Sequence, residues 1–289
     1  MEEYINYLKE SAERNKAHEN EIPFIAEKFK ELDYIGGELL REIFSSKLWV
    51  VKAIQSYVLV RSVNEILASL TFSVAHKKTA SVETSFRIAL EHIVNLVYIL
   101  EDESIERSRS YLKHSIADME SKTQKGNRRA VREDDLFDKL GMRRRMDFVE
   151  QLKEKNPKLM SDTNLKWPNI FERFKAVGAE KTYRNMYATA SDSIHTMSED
   201  VINAIMVYNC PPEVNPQMVQ VVESYKISFS VYLALFSLKY YCWMLGTLSN
   251  QIDSQLGKQI SEIEEQLLEK IIGHELESLD ETLEYFEPK

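Results

Sequence analysis

The chain has 289 residues, a formal net charge of −9 and a pI near 5.4, so it lacks the accumulated Lys and Arg from which a general affinity for nucleic acid is built. Its 8 Gly and 7 Pro are few, and residues 38 to 125 contain neither, which excludes long sheets whose strands must turn every ten or so positions. The fold expected is all-α, a multi-helix bundle with a basic helical insertion.

A first helix is expected over residues 2 to 19, and Pro23 suits the first turn of a second, which Gly36-Gly37 should break after Tyr34. Residues 38 to 75 carry Leu39, Ile43, Leu48, Val51, Ile54, Val58 and Leu67 at helical recurrence. Ser81, with Glu83 in the first turn, reads as the N-cap of a helix over 82 to 101 that is apolar nearly all round, the mark of a central position in a bundle. A more polar helix over 105 to 121 follows. Residues 122 to 134 lack apolar content and read as a loop, ahead of a helix from 134 to 155 that ends before Pro157.

Trp167-Pro168 opens a short helix stopped by Gly178, and helices over 180 to 196 and 198 to 208 come next. Behind Pro211, Pro212 and Pro216 lie a long apolar helix, 217 to 248, and an amphipathic one, 250 to 272. The stretch from Ile227 to Leu248 approaches the length of a membrane span, but Lys239, several serines and the lack of basic flanks read as a core helix, and no membrane association is expected. Trp49, Trp167 and Trp243 are expected as core or helix-junction anchors. The organisation that follows is an N-terminal arm (1–44), a core bundle (45–121 with 157–250), a basic loop and helix insertion (122–156), and an amphipathic helix with an acidic tail (251–289).

Charge is unevenly spread. From Lys122 to Arg145 there are nine basic and four acidic residues, a net charge of +5, while the chain from Gly257 onward holds ten carboxylates and three lysines. Cys210 and Cys242 form no Cys-x-x-Cys pair, and the first residues lack an apolar signal segment, so a reducing cytoplasm is expected.

Chemistry concentrates in two polar ladders within apolar helices, Arg87-x-x-x-Glu91 and Tyr187-x-x-x-Ser191-x-x-x-His195. Four-residue spacing returns side chains to one helical face, so each ladder is a polar strip, and the two strips are expected to face each other. An Arg held by a carboxylate beside an imidazole suits binding of an anionic phosphate or carboxylate and proton transfer near neutral pH. The competing reading pairs Glu91 with Arg87, satisfies both with the Tyr187 and Ser191 hydroxyls, and leaves the set fixing helix register alone. No Glu-x-x-His pair, His-Glu-x-x-His, P-loop or Gly-x-Ser-x-Gly is present, and neither a cofactor nor a metal ion is expected.

The RIALE segment (87–91) and the late YATASDSIH segment (187–195) resemble a family of uncharacterised prokaryotic all-helical proteins, over about residues 45 to 245. That resemblance implies a helical fold and polar residues at these positions. A looser resemblance, to the HEPN helical ribonucleases, rests on an Arg followed at short spacing by a His, here Arg87 and His92, with Ile88 where that family carries a polar residue. It implies a metal-independent endoribonuclease of defence or stress response, with Arg87, Glu91, Tyr187, Ser191 and His195 as the catalytic group. His195 is the favoured acid or base, the basic segment from Lys122 to Arg145 would guide RNA, and the chain would self-associate. The alternative is a non-enzymatic interaction or ligand-sensing module.

Overall fold

The computed structural model describes residues 1–188 and 198–286. Helices α1 (Glu2–Ala17), α2 (Ile22–Glu42), α3 (Val50–Ala75) and α4 (Thr79–Leu100) are followed by a long hairpin of α5 (Glu106–Arg132) and α6 (Leu136–Lys155). The short helices α7 (Pro157–Ser161), α8 (Ile170–Ala176) and α9 (Glu180–Thr182) come next, and α9 runs into a π-helical turn at Tyr183–Tyr187. The chain then forms α10 (Ser198–Tyr208), α11 (Asn215–Gln251) and α12 (Gly257–Phe286). The fold is all-α, with no strand among the described residues.

The core forms around α11, which packs on α1, α2, α3, α4 and α12. Being covered from several sides, it has no polar face to keep, so Val231, Leu235, Leu238, Tyr241 and Leu245 are all buried. α4 is apolar for the same reason, wedged between α3 and α11. Among the described residues two helices, α3 and α11, are long and apolar enough to cross a membrane by length and composition. Half of the apolar stretch of α11 is buried in the bundle, and one side of α3 is covered by none of the described residues. Near the first helix junction, His18 Nδ1 lies 2.7 Å from Ser228 Oγ of α11, and Glu21 takes His274 Nε2 of α12 at 3.0 Å.

Several expectations about helix boundaries are corrected. Gly36-Gly37 does not end α2. A Cβ at Gly36 would lie 2.6 Å from the buried Tyr241 hydroxyl oxygen, so the glycine admits a close helix crossing. Residues 38 to 75 are not one helix, because a 3₁₀ turn at Ile43–Ser45 leads into an extended Ser46 whose hydroxyl bonds back to the Ile43 carbonyl at 2.7 Å. α4 starts at Thr79, with Lys78 as its N-cap residue, and Ser81 lies inside the helix. Residues 122 to 132 are not a loop but the last turns of α5. Their inward positions are small, Thr123, Gly126 and Ala130, and so carried no apolar signal; a Cβ at Gly126 would meet Met142 Sδ of α6 at 2.6 Å. The hairpin turns at Asp134, with φ +53°, and Asp135 caps α6 by accepting the Asp138 N–H at 3.0 Å.

Beneath the hairpin a second, small apolar cluster of Ile116, Val149, Leu159 and Leu165 stands apart from the main core. Trp49 is exposed rather than an anchor, while Trp167 and Trp243 pack against the core as expected.

Candidate functional site

α4 carries Arg87, Glu91 and Asn95 one turn apart, with His92 beside Glu91. The partner of Glu91 comes from α8. There Asn169 and Glu172 form a reciprocal capping box that fixes the start of the helix, and Arg173 follows directly. Arg173 is only 6% exposed; its Nη2 lies 3.6 Å from Glu91 Oε1, its Nη1 donates to the Pro168 carbonyl at 3.2 Å, and its guanidinium sits 5.0 Å from the Trp167 ring centre. Burial works against its charge and Glu91 restores it.

The other Glu91 oxygen accepts the Tyr187 hydroxyl at 3.1 Å. Tyr187 stands on the π-helical turn, its ring 5.3 Å from Tyr183 and 5.4 Å from Phe174, and the Arg87 guanidinium lies 5.3 Å from its ring centre. Arg87, Glu91 and Tyr187 therefore meet, but Arg87 and Glu91 do not pair with each other: Arg87 goes to the Tyr187 ring and Glu91 to Arg173. Ser191 and His195 lie outside the described residues.

Next to this knot a cleft of about 690 Å³ opens between α4, α5 and α6. His92 lines it. Its Nδ1 is 3.0 Å from Ser62 Oγ of α3, and its other ring nitrogen has no partner among the described residues. Burial holds this imidazole below its ordinary value of 6.5, with Glu91 opposing in part, so the ring is neutral at pH 7. Ser62 fixes the orientation of the ring, and because its hydroxyl can donate or accept, the free nitrogen can serve in either role.

From α5 come Tyr111 and His114, and Lys122 and Arg145 stand at the rim. Burial raises the Tyr111 phenol, leaving it a neutral donor. Asp118, on the His114 face, is paired with Lys122 at 2.7 Å, and no cluster of His, Cys, Asp or Glu able to hold a metal ion occurs among the described residues.

Two buried lining residues hold polar atoms closed off from solvent: Asn95 Oδ1, an acceptor, and Arg173 Nε, a donor, have no hydrogen-bond partner among the described residues. Buried groups of this kind cost on the order of 1–3 kcal/mol each unless a ligand or water meets them. The cleft is thus lined by two imidazoles and a phenol beneath a cationic rim.

Arg173, Trp167 and Tyr111 were not foreseen as site residues. The signal for Arg173 lay in WPNIFERFKA, where an arginine between two phenylalanines behind an Asn-x-x-Glu cap has to find a buried acid.

The model of a family described as a family of unknown function, DUF5677, matches residues 53–207, which run from α3 to α10 and carry all of the cleft. No curated protein and no solved structure matches the chain.

Proposed function

Since the chain belongs to the DUF5677 family of unknown function, we propose from its geometry that it binds single-stranded RNA in the α4–α5 cleft and cleaves it without a metal ion, as a HEPN-like ribonuclease. The observation that supports this reading is the meeting of two imidazoles, His92 and His114, with Arg173 in the lining of one open cleft that has Lys122 and Arg145 at its rim.

The chemistry is an internal transesterification. A neutral His92 takes the proton of a ribose 2′-hydroxyl, whose oxygen attacks the adjacent phosphorus. The P–O5′ bond breaks, and His114 supplies a proton to the departing 5′-oxygen. The products are a 2′,3′-cyclic phosphate and a 5′-hydroxyl. Arg173, in the lining of the cleft, stabilises the charge that develops on the phosphoryl oxygens. The basic stretch from Lys122 to Arg145 guides the strand.

In this reading Arg87, Glu91 and Tyr187 do not touch substrate; they fasten α8 and the π-helical turn to α4 and so hold Arg173 in place. That tight fastening also favours a second reading, a non-enzymatic module whose cleft senses a small anionic ligand.

The test uses end-labelled single-stranded RNA in the presence of EDTA. The expected outcome is product ending in a 2′,3′-cyclic phosphate, with His92→Ala and His114→Ala each lowering the rate by about 10²–10⁴-fold. Changing Arg128, Arg129, Arg143, Arg144 and Arg145 together to Gln weakens binding and flattens its salt dependence. Salt-dependent binding without turnover moves the second reading to the front. Absence of both removes RNA.

A further inference from the structure

Among the described residues, none covers the outer face of α3. Ile54, Val58, Arg61, Glu65, Ala68 and Phe72 are all exposed and follow one another at intervals of four, three, four, three and four. That alternation is the 3.5-residue repeat of a coiled-coil seam. The opposite face of the same helix is already engaged, with Ala53, Val60, Val63, Leu67 and Leu70 buried against the main core. Ile54, Val58 and Phe72 are 51%, 56% and 62% exposed, high values for large apolar side chains on one stripe.

We propose that this stripe binds a second copy of the chain, the two α3 helices lying antiparallel about a two-fold axis at residue 63. Reversed about that residue, the stripe reads onto itself. Ile54 falls opposite Phe72, Val58 opposite Ala68, and Arg61 opposite Glu65 of the second copy.

Antiparallel coiled coils set an a position against a d position. Here 58, 65 and 72 form one set, 54, 61 and 68 the other, and every opposed pair draws one member from each. A parallel arrangement would instead stack Arg61 on Arg61 and Glu65 on Glu65, which like-charge repulsion forbids. Within one chain Arg61 Nη2 and Glu65 are already 3.8 Å apart, so the two copies bring four alternating charges to the axis. From residue 54 to 72 the stripe runs ~27 Å at 1.5 Å per residue, and the exposed Trp49 and Val50 extend it at one end. A lipid bilayer fits this face less well, because Arg61 and Glu65 would sit at the middle of the span.

Charge reversal in the full-length protein tests the pairing, with mass measured by sedimentation velocity across micromolar concentrations. The wild-type chain is expected as a dimer. Arg61→Glu and Glu65→Arg, each alone, oppose like charges across the axis and should weaken the dimer by about tenfold or more. An equimolar mixture of the two variants restores complementary charges at both contacts, and so does a chain carrying both changes; both should return to dimer. Both positions are on the surface, and unchanged helical circular dichroism confirms folding. A wild-type monomer at every concentration, a dimer indifferent to single reversal, a mixture that stays monomeric, or co-sedimentation of wild type with phosphatidylcholine vesicles would each overturn the proposal.

Discussion

The helical body and the α5–α6 hairpin are both built by packing long helices, but from different materials. In the body, α4 and α11 bury large apolar side chains on nearly every side, and its crossings are tight enough that Gly36 accepts the Tyr241 hydroxyl in place of a side chain. In the hairpin, Gly126 takes the side chain of Met142, and the buried positions of the last turns of α5 are the small Thr123 and Ala130. The cluster beneath it has four buried apolar residues, and surface ion pairs such as Lys153 with Glu120 at 2.9 Å do part of the joining. Such pairs contribute little in water, typically ~0–1 kcal/mol. The lesson is a division of labour. The body supplies stability, and the hairpin supplies a charged wall whose local opening costs less than global unfolding.

The sharpest way to break this comparison is to delete apolar volume from each region. Leu238→Ala, at a fully buried position of α11, should cost about 2–5 kcal/mol in a single cooperative denaturant transition. Val149→Ala in the hairpin cluster should cost less, and should raise amide hydrogen exchange in α5 and α6 while leaving α4 and α11 protected. Equal losses, or exchange that rises everywhere at once, would mean that the hairpin and body form one cooperative unit.

A smaller effect separates the two glycines. Gly36→Ala drives a methyl group against the hydroxyl of a rigid, buried tyrosine and should destabilise by about 1–3 kcal/mol. Gly126→Ala meets only the end of a flexible methionine, so the helix gain of up to ~1 kcal/mol for replacing glycine offsets the crowding and the change should be near zero. Urea titration of both variants tells them apart.

The smallest effect lies where the regions meet, at His92. Burial lowers its folded value below 6.5, so the unfolded chain takes up the proton more readily. The stability this neutral ring supports is complete above about pH 6.5, falls as pH drops through the lowered folded value, and levels off below it. His92→Gln should remove that acid-side decline. The melting temperatures of wild type and variant, compared across that range, should therefore differ by a margin that shifts with pH, and a constant difference would place the ring in a solvent-like setting.

Fold class was legible in the sequence because it depends on what the chain lacks: 88 successive residues without Gly or Pro leave little but helix. The element ends were less legible, since Gly36-Gly37 spells a break by local propensity and only the facing Tyr241 turns it into a contact. The α5 extension failed for a related reason, its inward face being made of small residues that a hydrophobic period does not register. At the site, spacing revealed that Glu91 and Tyr187 are polar positions in apolar helices, and the two do meet. It could not reveal Arg173, because the acid and its base are 82 residues apart on helices of unrelated pattern. The cleft itself is a product of four helices and a connecting segment, and no short stretch of sequence contains it.

The central place of α11 has a consequence for biosynthesis. The helix that fills the core is completed at residue 251, about 150 residues after α4 has emerged. At roughly 5–20 residues per second, the apolar faces of α2, α3 and α4 wait on the order of ten seconds or more for the surface that buries them. The nascent chain therefore spends most of its synthesis as an open half-bundle, the state that holdase chaperones recognise. A ribosome stalled near residue 200 should carry a protease-sensitive chain, and one stalled well beyond residue 251 a resistant core.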